Sequence, residues 1–158
     1  MGYDGASTFP LEEQMSHSGD LVAQDRWTAT IDALNSCPYY RLLEIRVVSM
    51  GEGRARLTMP IDEKLLQIYE VGHGGAVASL ADSAMGVALI SASREDEAAV
   101  TIELKVNFVS PARKGMLTAD AVLFQRGRTI AGGEVEIRDV EGRLVAKGMG
   151  TYLPSRRK

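Results

Sequence analysis

Between Gly75 and Ser93 the chain is small or apolar except for a single charged residue, Asp82, and it contains no proline. That length argues for a helix rather than a strand. Apolar side chains lie almost all the way round it, so such a helix must be covered on most sides. At 3.6 residues per turn, Gly75, Ser79, Asp82, Ser83 and Gly86 share one narrow stripe. Aspartate away from the first turn costs up to about 0.7 kcal/mol against alanine. Burying its charge costs several kcal/mol more unless it is paired or wet. A carboxylate kept there against both costs makes Asp82 the leading functional candidate.

The rest of the chain narrows the class. Its 158 residues, 45% hydrophobic and 25% charged, suit one ordinary domain with a sizeable core. The net charge is -3 and the only basic run is Arg156-Arg157-Lys158, so no nucleic-acid surface is expected. One cysteine, Cys37, rules out an intrachain disulfide framework and fits a reducing cytoplasm. With two histidines beside it, no metal site is expected. The opening residues lack a secretory pattern, and Ala6 breaks a myristoylation signal. The many Ala, Gly and Ser residues around Asp82 favour a core helix over a membrane span. A cytoplasmic location without membrane association is the expectation.

Residues 1–24 are polar and aperiodic and are expected to form a loose tail. Trp27, Ile31 and Leu34 then recur at helical spacing, which predicts a short helix from Asp25 to Ser36, closed by Cys37-Pro38. Leu43-Ile45-Val47 and Ala55-Leu57-Met59 alternate about Gly51-Glu52-Gly53, a hairpin signal. After the long helix come four alternating runs. Val100 to Phe108 keeps its apolar set on even positions and Thr101, Glu103, Lys105 and Asn107 on the other face. Leu117–Gln125, Thr129–Arg138 and Leu144–Leu153 follow across short Gly-bearing turns, which predicts an antiparallel meander. The domain is expected over 25–153, with a basic tail at 154–158. The class is α+β: one long helix and a six-stranded antiparallel sheet bury each other only if the sheet curls round the helix. The small-residue stripe then needs cover from an oligomer.

Gly72-His73-Gly74-Gly75, Asp82-Ser83 nine residues past His73, the run Thr101 to Pro111, Gly115, Gly127-Arg128-Thr129 and Gly142 to Thr151 occur in a telling order. From Leu42 to Leu153 the chain resembles the hotdog-fold acyl-CoA thioesterases, in the branch of the 4-hydroxybenzoyl-CoA and phenylacetyl-CoA thioesterases. The resemblance implies an acyl-CoA substrate, no cofactor, and a homodimer or homotetramer with the active site at the subunit interface. It implies that the Gly74 N–H polarises the thioester carbonyl and that Asp82, from the neighbouring subunit, attacks or activates water. It maps a water-placing hydroxyl to Thr101 and places His73 within the motif. Gln67 and Glu70 stand where the family often has Asn and Gly.

The physics of a helix start agrees. Its unpaired N–H groups and partial positive charge favour an oxyanion, and glycine lets a carbonyl approach closely. Gly75 and Ser83 are candidate substrate contacts, and Arg113, Lys114 and Arg128 are candidates for coenzyme A phosphates. Plainer readings stand beside these: His73 as a helix cap, Thr101 as a half-exposed strand residue, the cations as solvated strand ends. Rival functions are an acyl-thioester hydratase or dehydratase and a non-catalytic acyl-CoA-binding module.

Overall fold

The computed structural model describes the backbone of residues 19–94 and 97–156 and the side chains of 26–94 and 97–155. In chain order the elements are α1 (Gly19–Asn35), α2 (Pro38–Leu43), β1 (Arg46–Gly51), β2 (Arg54–Ile61), α3 (Gly74–Ser91), β3 (Glu97–Phe108), β4 (Gly115–Arg126), β5 (Ala131–Arg138) and β6 (Leu144–Arg156). One antiparallel sheet in the order β1-β2-β4-β5-β6-β3 wraps α3. This is the hotdog arrangement expected from the sequence.

The core is the inner face of that sheet against the helix. Leu57, Met59, Leu117, Ala119 and Ile137 from the strands are fully buried, as are Leu80, Ala81, Ala84, Met85, Ala88 and Leu89 from α3. Alanines on both sides let helix and sheet approach closely. α3 is long and apolar enough to cross a membrane by length and composition. Here the sheet covers those apolar sides. The outer face is charged instead: Arg56 meets Asp120 at 2.6 Å, and Glu136 meets Arg138 at 2.8 Å and Lys147 at 3.2 Å. Burial pushes the Glu136 carboxyl up, but these two cations outweigh it and hold it below its ordinary value.

Several boundaries differ from expectation. No Gly or Pro interrupts residues 20–35, so α1 runs back through Gly19–Gln24, which had been expected as tail. Residues 1–18 lie outside the described residues. Cys37-Pro38 does not only close a helix; it opens α2, with Cys37 as N-cap and the proline in the first turn. That takes Leu43 out of the expected strand. At the other end, β6 absorbs Pro154, Ser155 and Arg156 because β3 supplies ladder partners as far back as Glu97.

The four-strand meander holds only for β4, β5 and β6. β4 pairs with β2, and β3 sits at the far edge on β6, because α3 carries the chain across the sheet between β2 and β3. The alternation in β3 also breaks. A β-bulge between Thr101 and Glu103 puts Thr101 opposite Tyr152 and Leu104 opposite Gly150, on the same face. Thr101 is thus turned towards the helix, while Val100 and Ile102 point away, 47% and 56% exposed.

One buried hydroxyl ties the β1–β2 hairpin to the end of α3. Ser91 Oγ accepts from the Gly53 N–H at 2.9 Å and donates to the Ala88 carbonyl at 2.8 Å. Ser91→Ala leaves the Gly53 N–H without that partner. A loss of about 1–3 kcal/mol is expected, read as a lower urea midpoint at unchanged slope. A midpoint equal to wild type would mean that another acceptor, or water, takes over this N–H.

Candidate active site

A helix start leaves its first four N–H groups without helical partners. At α3 a single residue takes three of them. The Gly75 N–H donates to His73 Nδ1 at 2.9 Å, and the Ala76 and Val77 N–H groups donate to the His73 carbonyl at 3.0 and 3.3 Å. The Gly74 N–H alone meets no acceptor among the described residues. His73 is therefore the N-cap, its Nδ1 lone pair engaged and unavailable as a base. That counts against hydratase chemistry run from this histidine. Gly75 serves the cap: a Cβ there would lie 3.0 Å from His73 Nδ1.

The segment before the helix is pinned in place. The His73 N–H donates to the Leu65 carbonyl and the Gly72 N–H to Ala112, both at 2.7 Å. Between them the Gln67 N–H donates to the Val71 carbonyl at 2.9 Å, and Glu70 takes a positive φ of 58°. Gln67 and Gly74 consequently line one cavity of about 400 Å³, with Val71, Val77, Phe108, Val109 and Val145 as its apolar walls. Glu70 points its loop into solvent and does not line it.

Asp82 belongs to a second cavity, of about 310 Å³. Its Oδ1 accepts from Thr101 Oγ1 at 2.8 Å and from the Tyr152 hydroxyl at 3.0 Å. Both donors fall on one oxygen, which fixes the carboxylate and leaves Oδ2 without a donor among the described residues. The Tyr39 hydroxyl on the rim of the same cavity is also partnered, meeting Ser79 Oγ at 2.7 Å. Burial pushes the Tyr40 hydroxyl up to about 12. Burial, and then the charge on Asp82, pushes Tyr152 higher still. Both phenols stay protonated, and Tyr152 stays a donor.

The expected site residues thus fall into two groups. Gly74, His73 and Gln67 gather at the start of α3; Asp82, Ser83 and Thr101 gather two turns further on. The two cavities share no lining residue. Eight residues separate Gly74 from Asp82, about 12 Å along the axis and roughly 80° round it. Among the cations, Arg113 and Lys114 follow Ala112, at the rim of the Gly74 cavity, where Lys114 reaches Glu63 at 3.2 Å. Arg128 lies beyond the other end of β4, roughly 40 Å of strand away.

Tyr39, Tyr40 and Tyr152 complete the Asp82 cavity and were not singled out from the sequence. Tyr39 and Tyr40 sit on α2, read as strand and connector. Tyr152 ends a strand read only for its alternation. An aromatic hydroxyl in otherwise apolar strand positions was the available signal, since a buried tyrosine seeks a partner for its O–H.

Comparison with known proteins places the chain in a family. Residues 69–146 match the thioesterase superfamily. The chain is 30% identical over 118 residues to the 1,4-dihydroxy-2-naphthoyl-CoA hydrolase of Escherichia coli, covering 73% of this chain and 87% of that one. The PaaI protein from the phenylacetic acid degradation operon of E. coli superposes with a TM-score of 0.77 at 27% identity, over 86% of this chain and 99% of that one. A thioesterase of Haemophilus influenzae gives 0.75 at 27% identity, over 81% and 90%. The chain belongs to the thioesterase superfamily and is a hotdog-fold thioester hydrolase.

Proposed function

We propose that the enzyme hydrolyses an acyl-CoA thioester to a carboxylic acid and coenzyme A, at a site built by two copies of the chain. The observation that carries this reading is the separation of the half-sites along β3. Thr101, beside Asp82, lies in the first half of the strand; Phe108, beside Gly74, is its last residue, roughly 20 Å away. β3 is also an edge strand of 12 residues with apolar side chains exposed. Such an edge invites pairing. Two copies related by a two-fold axis pair it antiparallel. The Gly74 end of one then meets the Asp82 end of the other, twice.

The chemistry follows from the free groups. The thioester oxygen accepts from the Gly74 N–H, at the positive end of α3, where charge develops as the carbonyl carbon becomes tetrahedral. Oδ2 of the partner subunit's Asp82 either attacks that carbon, giving a mixed anhydride that water then opens, or takes a proton from an attacking water. In both routes the C–S bond breaks and coenzyme A leaves as its thiolate. Thr101 and Tyr152 hold Oδ1 throughout. Gln67, on the Gly74 side, offers an amide to the carbonyl or the water. Arg113 and Lys114 beside that cavity suit the phosphates of coenzyme A. No cofactor is required.

Two variants test the shared site. Asp82→Asn should lower turnover at least about a hundredfold while acyl-CoA still binds. Gly74→Val should disable the other half, since its methyl groups crowd both the carbonyl position and the Phe108 ring, only 3.3 Å from a Cβ. Co-expressed, half of the dimers are mixed and each mixed dimer keeps one intact site of two. About a quarter of wild-type activity should return. Mixed dimers verified by mass and still inactive would mean that each chain builds its own site, and light scattering that shows only monomers would remove the dimer.

Tyr152→Phe tests the hold on Asp82. Turnover should fall about tenfold at nearly unchanged KM, as expected for one lost charge-assisted hydrogen bond. The variant should also change alkaline stability. Because the folded protein raises the tyrosine pKa, the stability gained is full below pH 10 and lost as pH rises through and beyond it. Tyr152→Phe should make that loss shallower. Wild-type turnover together with a wild-type alkaline profile would mean that the hydroxyl does not hold the carboxylate.

A further inference from the structure

We infer that the cavity beside Asp82 is the acyl pocket and that Gly86, by having no side chain, sets how long an acyl group it takes, which makes the substrate class short- to medium-chain aliphatic acyl-CoA. The inference rests on the acyl-CoA reading above and adds the substrate's acyl half and the residue that measures it.

Gly86 sits in the middle of α3, where glycine is a weak choice because it surrenders more chain entropy than alanine. Two strand glycines nearby have steric reasons. A Cβ on Gly150 would lie 2.9 Å from the Tyr152 ring, and one on Gly148 would lie 3.1 Å from the Lys105 carbonyl. A Cβ on Gly86 would meet nothing within 4 Å. Packing within the subunit therefore does not demand this glycine. The open space above it belongs to the Asp82 cavity, which Gly86 lines one turn past the carboxylate.

The character of that cavity identifies its occupant. Beyond Gly86 its walls are Val87, Ile90 and Ala99, all apolar. No cation among the described residues lines it, and Asp82 would repel the phosphates of coenzyme A, whereas Arg113 and Lys114 directly follow Ala112 in the wall of the other cavity. The coenzyme arm thus belongs on the Gly74 side and the acyl group on the Asp82 side. Near the carboxylate the Tyr39 hydroxyl is engaged with Ser79 and the Tyr152 hydroxyl with Asp82, so neither demands a polar substituent. From Asp82 to Ile90 the helix rises about 12 Å. The volume of about 310 Å³ is at the lower end of small-molecule sites, roughly 300–1,000 Å³. A short or medium aliphatic chain fits this; a long one would run past Ile90.

The test pairs turnover with binding. Turnover is measured on straight-chain acyl-CoAs from acetyl to lauroyl, and binding on the matching S-alkyl-CoA thioethers, which cannot be hydrolysed. Wild-type affinity should tighten with chain length to a limit. Gly86→Leu should shorten the limit, lowering the octanoyl-to-acetyl ratio of kcat/KM at least about tenfold. Gly86→Ala should fall between, with a raised melting temperature, and Ile90→Ala should lengthen the limit. An unchanged length profile, uniform weakening across the series, or loss of the dimer in Gly86→Leu would overturn the assignment. A length limit that shifts in the thioethers, with no turnover by wild type on any acyl-CoA, would leave the pocket standing and sink the hydrolase reading instead.

Discussion

Everything in this molecule depends on covering α3. A helix that is apolar on nearly every side has no stable place at a surface, and one flat sheet covers only one of its sides. The strands therefore curl around it, and alanines on α3, β2, β4 and β6 allow the approach. One stripe of the helix escapes this cover: Ser79, Asp82, Ser83, Gly86 and Ile90 are half-buried, and they line the cavity beside the carboxylate. The fold thus creates its reactive surface as the remainder of its own packing. Asp82 is tolerated in the middle of the helix because that remainder brings Thr101 and Tyr152 within hydrogen-bond range.

The same packing sets the distance between the two half-sites. The helix axis fixes the spacing of Gly74 and Asp82, and β3, lying beside the helix at the sheet edge, carries a marker of each half-site along its length. A two-fold operation across such an edge exchanges the ends. In the proposed dimer, symmetry brings together what two rigid elements keep apart within one subunit.

Much of this was legible in the sequence because it is local. The helix, the number of strands and the candidacy of Asp82 follow from periodicity and from the cost of a charge among alanines. The likeness to thioesterases located Gly74 and Gln67 together. What escaped was set by register. Thr101 looked outward because strict alternation puts it opposite Leu104, Val106 and Phe108. The bulge at Ile102 reverses the phase, and no short-range pattern announces it. The strand order escaped for a related reason: α3 carries β3 to the far edge, and a meander and a crossover look alike run by run. Tyr152 lies 70 residues from Asp82, a pairing that only the closed sheet creates. Residues 19–24 show the opposite case, where polar composition suggested a tail and the helix expected from Asp25 runs back through them.

The start of α3 shows how selective such an arrangement can be. Helix ends usually have their spare N–H groups satisfied by a cap or by water, since a buried donor left alone costs about 1–3 kcal/mol. His73 satisfies three donors with one ring nitrogen and one carbonyl oxygen, and stops there. A serine or aspartate cap would serve the same donors with less bulk. The histidine ring, however, folds back over Gly75 and takes that N–H, so the remaining donor, on Gly74, is the one facing the cavity with Gln67. At the other half-site the logic is inverted: two donors crowd onto Oδ1 of Asp82, and Oδ2 is left alone. Among the described residues each half-site therefore leaves one such group over, the Gly74 N–H at one and Asp82 Oδ2 at the other. The two left over, a donor at a positive helix end and a carboxylate oxygen, are complementary to the two ends of a polarised carbonyl under attack. Neither stabilises the isolated chain; in the proposed dimer the two would face each other across the thioester carbonyl.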